Sequence, residues 1–324
     1  LKPPAAISAS FHSALQAARE AAGSQHYPQG TLYVVATPIG NLADVTLRAL
    51  HVLGLADAIA CEDTRHTQGM LRAYGIEPRA GSALLAVHQH NEAEAAQAVV
   101  ARLARGERVA YVSDAGTPGV SDPGARLVEA VRAAGQRVLP LPGASSVTTL
   151  LSAAGLVGDA AGAEGAFVFQ GFLPTKAGER AQAVERLRGE TRATVLLEAP
   201  HRIDALARAL APLGERRVTL GRELTKQFEE IATVPAQDLA DWLAADAQRT
   251  RGEFALVLHP APAAGDDGAQ AEQVLRLLLE ELPLKTAVRL AAQISGAGRN
   301  ELYQRALALR QDGGAGAEDT GAPD

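Results

Sequence analysis

The feature that most constrains this chain is an alternation. From Thr31 to Pro142, short β-rich runs take turns with stretches of helical period. The runs 31–37 (TLYVVAT), 58–63 (AIACED), 83–88 (ALLAVH), 109–114 (VAYVSD) and 137–141 (RVLPL) read as strands, with helical patterns such as 91–105 and 125–134 between them. A chain that alternates in this way folds as α/β, with a mostly parallel sheet covered by helices. In such sheets ligands bind beyond the carboxyl ends of the strands, where loops deliver backbone N–H groups and short polar side chains.

A second unit follows a linker at 156–165. Its strands are expected at 166–170, 193–198, 217–220, 230–234 and 254–259, and the short spacing of the third and fourth predicts a hairpin or a mixed sheet, so that this half is not purely parallel. A second linker, PAPAAGDDGAQ, precedes three helical patterns at 271–282, 284–295 and 299–310. The expected organisation is therefore a flexible N-terminal extension at 1–29, an α/β domain at 30–155 and a second at 156–262. A small helical module at 263–310 and a disordered tail at 311–324 complete it. That tail carries four acids and no base.

Composition narrows the function. A strongly basic balance would mark a nucleic-acid binder, but the net charge is −6, and aromatics at 4% leave little for base-stacking platforms. An RNA partner must then be met by a local basic patch. The stretch 284–310 offers one, with Lys285, Arg289, Arg299, Arg305 and Arg310 against Glu301, in a helix, Ser-Gly-Ala-Gly turn, helix pattern similar to a helix-turn-helix. Cys61 is the sole cysteine, which excludes a disulfide framework and multi-cysteine metal sites and fits a reducing, intracellular home. No stretch approaches the roughly 20 apolar residues of a membrane helix. Residues 1–29, broken by Pro3, Pro4, Arg19 and Glu20, lack the apolar block of a signal peptide.

Three loops follow strands of the first sheet: Thr37 to Asp44 (TPIGNLAD), Ser113 to Gly124 (SDAGTPGVSDPG) and Leu141 to Ser146 (LPGASS). Each places Gly or Pro where a chain turns sharply and can approach a ligand. The common nucleotide fingerprints are missing. None of the four lysines follows a glycine, which excludes a P-loop, and neither G-x-G pair follows a strand, which disfavours a Rossmann site. His88 and His90 could share one strand face, but no third metal ligand accompanies them, so no metal is expected. Charged groups gather at strand ends: Glu62-Asp63-Thr64-Arg65-His66, Glu198-Ala199-Pro200-His201-Arg202 and Gly221 to Lys226 (GRELTK). Asp63 or Thr64 also reads as a helix N-cap.

The stretches TLYVVATPIGNLADVTLRAL, EDTRHT, YVSDAGTPGVSDPG, LPGASS, GFLPTK, APHR and GRELTK, in this order, resemble the ribosomal-RNA-modifying branch of the tetrapyrrole methylase superfamily. The resemblance runs from about Gly30 to Arg310. It implies the two-domain tetrapyrrole-methylase-like fold and a cofactor, S-adenosyl-L-methionine, in the cleft between the domains. It also implies 2′-O-methylation of the ribose of cytidine 1402 in 16S rRNA within the 30S subunit, by a cytoplasmic homodimer with no membrane or DNA partner. Carried onto this sequence, the cofactor residues are Pro38, Ile39 and Gly40; Asp114, Ala115, Gly116 and Thr117; Ser145 and Ser146; and Phe172 and Leu173 of the GFLP segment. Small-molecule relatives carry G-x-G-P-G-D in the first loop, where this chain has Thr37-Pro38-Ile39-Gly40-Asn41.

A ribose hydroxyl ionises far above neutrality, so a positioned base helps. Among Glu62, Asp63, His66, His90, Glu198 and Glu223, the cluster Glu62, Arg65 and His66 ranks first because it ends a strand of the sheet that carries the cofactor loops. Lys285, Arg289 and Arg299 are the expected substrate-binding residues. Two other readings remain open: a methylase of a small tetrapyrrole-like substrate, and a non-catalytic ribosome-associated module.

Overall fold

The computed structural model describes residues 11–77, 83–88, 91–156, 165–261 and 266–313. The first sheet contains β1 (Thr31–Val35), β2 (Ala58–Cys61), β3 (Ala83–Ala86), β4 (Arg108–Val112) and β5 (Arg137–Leu141), in the order β3-β2-β4-β1-β5. Every pairing is parallel, with Leu32 opposite Val109 and Val138. From β1 the chain crosses to β2 on one side, and from β4 it crosses to β5 on the other. The order therefore reverses between β1 and β4, and the helices that follow these two strands lie on opposite faces of the sheet.

Side-chain alternation splits the core of this sheet into two layers. Tyr33, Val35, Ile59 and Val112 face α1 (His12–Ala22), α2 (Leu47–Leu55) and α3 (Thr64–Tyr74). Leu32, Ala58, Val109 and Tyr111 face α4 (Glu92–Ala104) and α5 (Gly124–Ala133). Caps fix where the helices begin. Thr46 Oγ1 accepts the Ala49 amide at 3.1 Å to start α2, and Asp63 Oδ1 accepts the Arg65 amide at 2.8 Å to start α3. Helix α6 (Ser146–Ala153) follows β5.

The second sheet is mixed. Strands β6 (Phe167–Gly171), β7 (Ala193–Glu198), β8 (Arg217–Arg222), β9 (Glu230–Pro235) and β10 (Phe254–Leu258) lie in the order β6-β7-β10-β8-β9. Pairings of β10 with β7 and β8, and of β8 with β9, are antiparallel, as the hairpin spacing predicts. Hydrogen bonds tie several of its buried polar groups together. Thr219 Oγ1 lies 2.8 Å from His259 Nε2, and Arg216 Nε donates to the His259 carbonyl at 2.7 Å.

Both sheets fall within one compact unit, and residues 260–313 belong to another. That second unit carries α10 (Asp266–Glu281), α11 (Leu284–Ser295) and α12 (Arg299–Gly313), which follow α7 (Ala177–Arg188), α8 (Ile203–Leu210) and α9 (Leu239–Ala244) in the chain. Its core joins Leu275, Ala287, Val288, Ala291, Leu302 and Ala306. Gly296, at φ 75°, ends α11 in the left-handed conformation that the Ser-Gly-Ala-Gly turn predicts.

One expectation is corrected. Residues 12–29 are not a flexible extension: α1 buries Ala18 and Ala22, Phe11 meets Tyr74 edge-on at 4.9 Å, and Tyr33 donates to the Pro28 carbonyl at 2.8 Å. Small alanines let α1 lie close to α2 and shield its apolar face. Residues 1–10 and 314–324, residues 157–164 and 262–265 of the two linkers, and His90 lie outside the described residues, and the second linker gives way to α10 at Asp266. Placing a charge at Ala18, which is fully buried, tests the correction. Ala18→Asp should lose roughly 2–4 kcal/mol in urea unfolding, while Gln16→Ala on the exposed face stays within about 0.5 kcal/mol.

Candidate active site

Three loops meet at the carboxyl rim of the first sheet, and hydrogen bonds tie them together. Thr37 and Gly116 form an isolated antiparallel bridge, with the Thr37 amide 2.9 Å from the Gly116 carbonyl and the Gly116 amide 3.1 Å from the Thr37 carbonyl. Thr37 Oγ1 donates to the Ser113 carbonyl at 3.2 Å, which joins the loop after β1 to the loop after β4. Thr117 Oγ1 donates to the Ala144 carbonyl at 2.9 Å and adds the loop after β5. Gly116 sits at φ 83°, and a Cβ there would lie 3.2 Å from Ile39 Cγ2. Only glycine takes that turn without strain.

The end of β2 is tied in through carboxylates. The Asp114 amide donates to Glu62 Oε1 and the Asp63 amide to Asp114 Oδ1, both at 3.2 Å. These loops enclose a cavity of about 120 Å³. Ile39, Glu62, Ala115, Gly116, Thr117, Ser145 and Ser146 line it, so most of the expected cofactor residues are brought together. Val120, Ser121, Asp122 and Val147 complete the first-sheet wall, and Leu197 of β7 enters from the second sheet. Leu197 was invisible as a site residue in the sequence, because an apolar residue inside a strand reads as core.

Other expected residues lie elsewhere. Pro38 is buried beside the cavity, and Gly40 is exposed at its outer edge. Asp114 supports the wall through its bonds to Glu62 and Asp63. Leu173 is buried, and its carbonyl accepts the Arg202 guanidinium, while Phe172 is 49% exposed; neither lines the cavity. The Glu62, Arg65 and His66 cluster does not form. Arg65 turns back to Asp63 at 2.9 Å, and both Arg65 and His66 are exposed on the first turn of α3. Glu198 pairs with Arg202 at 3.0 Å. It follows Leu197 in β7, so its side chain points to the opposite face of the sheet. In the helical module, Lys285, Arg289 and Arg299 are all exposed.

The electrostatics distinguish the acids. Burial, followed by the nearby charges of Asp114 and Asp122, pushes the Glu62 carboxyl above its usual range, against the lowering effect of the Asp114 amide. The Arg65 side chain holds Asp63 down at about 2. Tyr111 donates to Asp122 Oδ1 at 2.9 Å, and the amides of Gly119 and Gly124 also bond to Asp122, which fixes the far wall. Glu62 is thus a half-buried carboxylate facing a small cavity rich in hydroxyls and backbone dipoles, with further acids behind it. Such a site favours a cation and can take up a proton.

The profile of the Tetrapyrrole (Corrin/Porphyrin) Methylases matches residues 31–240, which span the first sheet, all three loops and strands β6 to β9 of the second sheet. The chain belongs to this family. Residues 265–310 match the RsmI C-terminal HTH domain. The chain is 46% identical over 286 residues to ribosomal RNA small subunit methyltransferase I of Pseudomonas aeruginosa, covering 86% of this chain and 97% of that one. It is 47% identical over 282 residues to the Escherichia coli O157:H7 protein of the same name, covering 86% and 95%. Among solved structures, cobalt precorrin-4 methyltransferase, a cobalamin biosynthetic enzyme, is similar at TM-score 0.51 and 17% identity, over 72% of this chain and 98% of that one. The methyltransferase CobJ is similar at TM-score 0.51 and 20% identity, over 71% and 93%. These likenesses establish the fold.

Gly116 and Gly119 make a matched pair for testing the wall, at φ 83° and 84°, because a Cβ on Gly119 would meet nothing within 4 Å. Gly119→Ala should lose about 1–2 kcal/mol of stability to backbone strain alone. Gly116→Ala should lose measurably more in the same urea titration, because Ile39 must also move.

Proposed function

We propose that this protein uses S-adenosylmethionine to methylate the ribose 2′-hydroxyl of cytidine 1402 in 16S rRNA, acting in the cytoplasm as a homodimer on the 30S subunit. One observation carries the reading: a single chain holds both the three-loop cavity and a basic helix-turn-helix, and it matches ribosomal RNA small subunit methyltransferase I of P. aeruginosa over 97% of that protein. The organisation behind it is an α/β domain at 30–155, a second at 156–262 and an RNA-engaging module at 263–310.

The cavity fits the sulfonium end of this cofactor by charge. Glu62 and Asp114 favour a positive centre, and Gly116, which carries no side chain, lines the wall with backbone. The volume of about 120 Å³ is small beside the roughly 300–1,000 Å³ of small-molecule pockets, so the cofactor extends past these walls or widens them. When bound, it supplies an electrophilic methyl group. Thr117, Ser145 and Ser146 offer hydroxyls and backbone amides for its polar groups, while Ile39, Val147 and Leu197 provide an apolar wall. Holding the reactants in one geometry accounts for much of the acceleration in such transfers. Glu62 accepts the proton of the 2′-hydroxyl. Its raised pKa makes it a stronger base than an ordinary carboxylate. Arg65 and His66 take no part in that step.

Lys285, Arg289 and Arg299 bind rRNA phosphates. Arg305 is less available, since it bonds to Glu272 at 2.6 Å.

Tritiated S-adenosylmethionine and unmodified 30S subunits test the assignment. Label should map to the 2′-oxygen of cytidine 1402; label on a base, or only on a small tetrapyrrole, rejects it. Glu62→Gln should lower turnover about 10²- to 10⁴-fold. In the wild type, activity should fall as pH drops through the raised Glu62 pKa, and the variant should lack that limb. Reversing the charge of Lys285, Arg289 and Arg299 together should raise KM for 30S and flatten its salt dependence by about three phosphate contacts. Affinity for S-adenosylhomocysteine should be unchanged.

A further inference from the structure

The connection between β8 and β9 carries backbone strain. Among the described residues, Glu223 at φ 51° and Thr225 at φ 66° are the non-glycine residues with positive φ. For threonine this conformation is especially unfavourable, because its Cβ is branched. The strain is held in place from several directions. The Thr225 amide donates to Glu229 Oε2 at 2.6 Å. Lys226 Nζ donates to Glu223 Oε1 at 2.8 Å and to Glu253 Oε2 at 3.0 Å. The Glu253 amide donates to Glu223 Oε1 at 2.9 Å, and the Glu223 amide to the Glu253 carbonyl at 3.0 Å. Such over-determination is typical of functional sites.

What the strained turn delivers is a hydroxyl. Thr225 Oγ1 accepts the amide of Asn41 at 3.0 Å, across from the second sheet to the loop that follows β1. The fit continues at Gly40, where a Cβ would lie 2.9 Å from both the Leu224 carbonyl oxygen and Thr225 Oγ1. The loop is thus pinned on either side of Ile39, and Tyr74 Oη also donates to its Leu42 carbonyl at 2.9 Å. Gly116 holds it at Thr37 from within the first sheet, and Thr225 holds it at Asn41 from the second. Ile39, a wall of the cavity, lies between the pins.

We propose that Thr225 is a positioning residue for the cofactor pocket. Its hydroxyl fixes the 37–44 loop from the second sheet, so the placement of Ile39 depends on both sheets. This rests on the reading of the cavity as the S-adenosylmethionine site. Glycine at 225 would be free of strain, but it could not reach Asn41. The threonine is therefore suited to its contact rather than to its turn.

Thr225→Ser, Thr225→Val and Thr225→Gly in the full chain separate the possibilities. Three readouts apply: hydrogen exchange at the Asn41 amide, calorimetric affinity for S-adenosylhomocysteine, and thermal unfolding. Val and Gly should speed exchange at Asn41 at least tenfold and weaken cofactor binding roughly three- to tenfold, while Ser preserves both. Gly should melt at or above the wild-type temperature, because its turn is relaxed. Weaker binding in an equally stable protein is the signature of positioning. Val and Gly variants that bind within twofold of wild type would overturn the proposal, as would affinity losses that track melting temperature in all three variants. A wild-type protein that binds no S-adenosylhomocysteine, with Asn41 exchange still governed by Thr225, would reject the cofactor reading while upholding the coupling of the loop to Thr225.

Discussion

The site depends on the bridge between Thr37 and Gly116. Parallel strands end with unpaired peptide groups, and buried peptide groups need partners. Strand order places β1 beside β4, so the two chains leave the sheet side by side. A short way past the strand ends, Thr37 and Gly116 satisfy one another with one more pair of bonds, now antiparallel. That reversal of direction needs the left-handed turn at Gly116, and the turn exposes the backbone of residues 115–117 to the cavity. Thr117 and Ala144 then extend the tie to β5. Fold topology and ligand site are here one set of hydrogen bonds.

Much of this was legible in the sequence, for identifiable reasons. The strands of the first sheet are short apolar runs, with β-branched and aromatic residues in β1 and β4, and the loops carry Gly and Pro at the turns, so both stand out from the helices. The mixed second sheet was legible from the short gap between Leu220 and Glu230. Helix α1 was not, because its buried face is alanine: Ala18 and Ala22 carry little hydrophobic signal until α2 is placed against them. The charged cluster after β2 was misjudged for a different reason. Nearness in sequence joined Glu62 to Arg65 and His66, yet a helix begins at Thr64 and turns Arg65 back onto its own N-cap. Leu197 and Thr225 belong to the second sheet, and their relation to the first-sheet loops is a fact of tertiary packing that no local pattern records.

The charge distribution makes sense as a division of labour. Glu62, Asp114 and Asp122 concentrate negative charge around the cavity, which suits a sulfonium and repels phosphates. An enzyme with such a pocket and a polyanionic substrate must carry its basic residues elsewhere. In this chain Lys285, Arg289 and Arg299 are exposed on the helical module, whose apolar core is built from its own helices. A net charge of −6 is thus compatible with RNA binding, because the relevant quantity is local.

The second sheet adds a constraint that the first cannot supply. From the side of the first sheet, the 37–44 loop is held at Thr37 by Gly116 and at Leu42 by the Tyr74 hydroxyl, and neither contact engages the Asn41 amide. An antiparallel hairpin can present a side chain at its turn, and the β8–β9 connection does so with Thr225. The clamp of Lys226 between Glu223 and Glu253 keeps that turn rigid enough for one hydroxyl to act as a fixed acceptor. A pocket whose wall is fastened from both sheets retains its shape only while the sheets keep their spacing. On this arrangement, a displacement of the second sheet is passed to the 37–44 loop through the Thr225 contact.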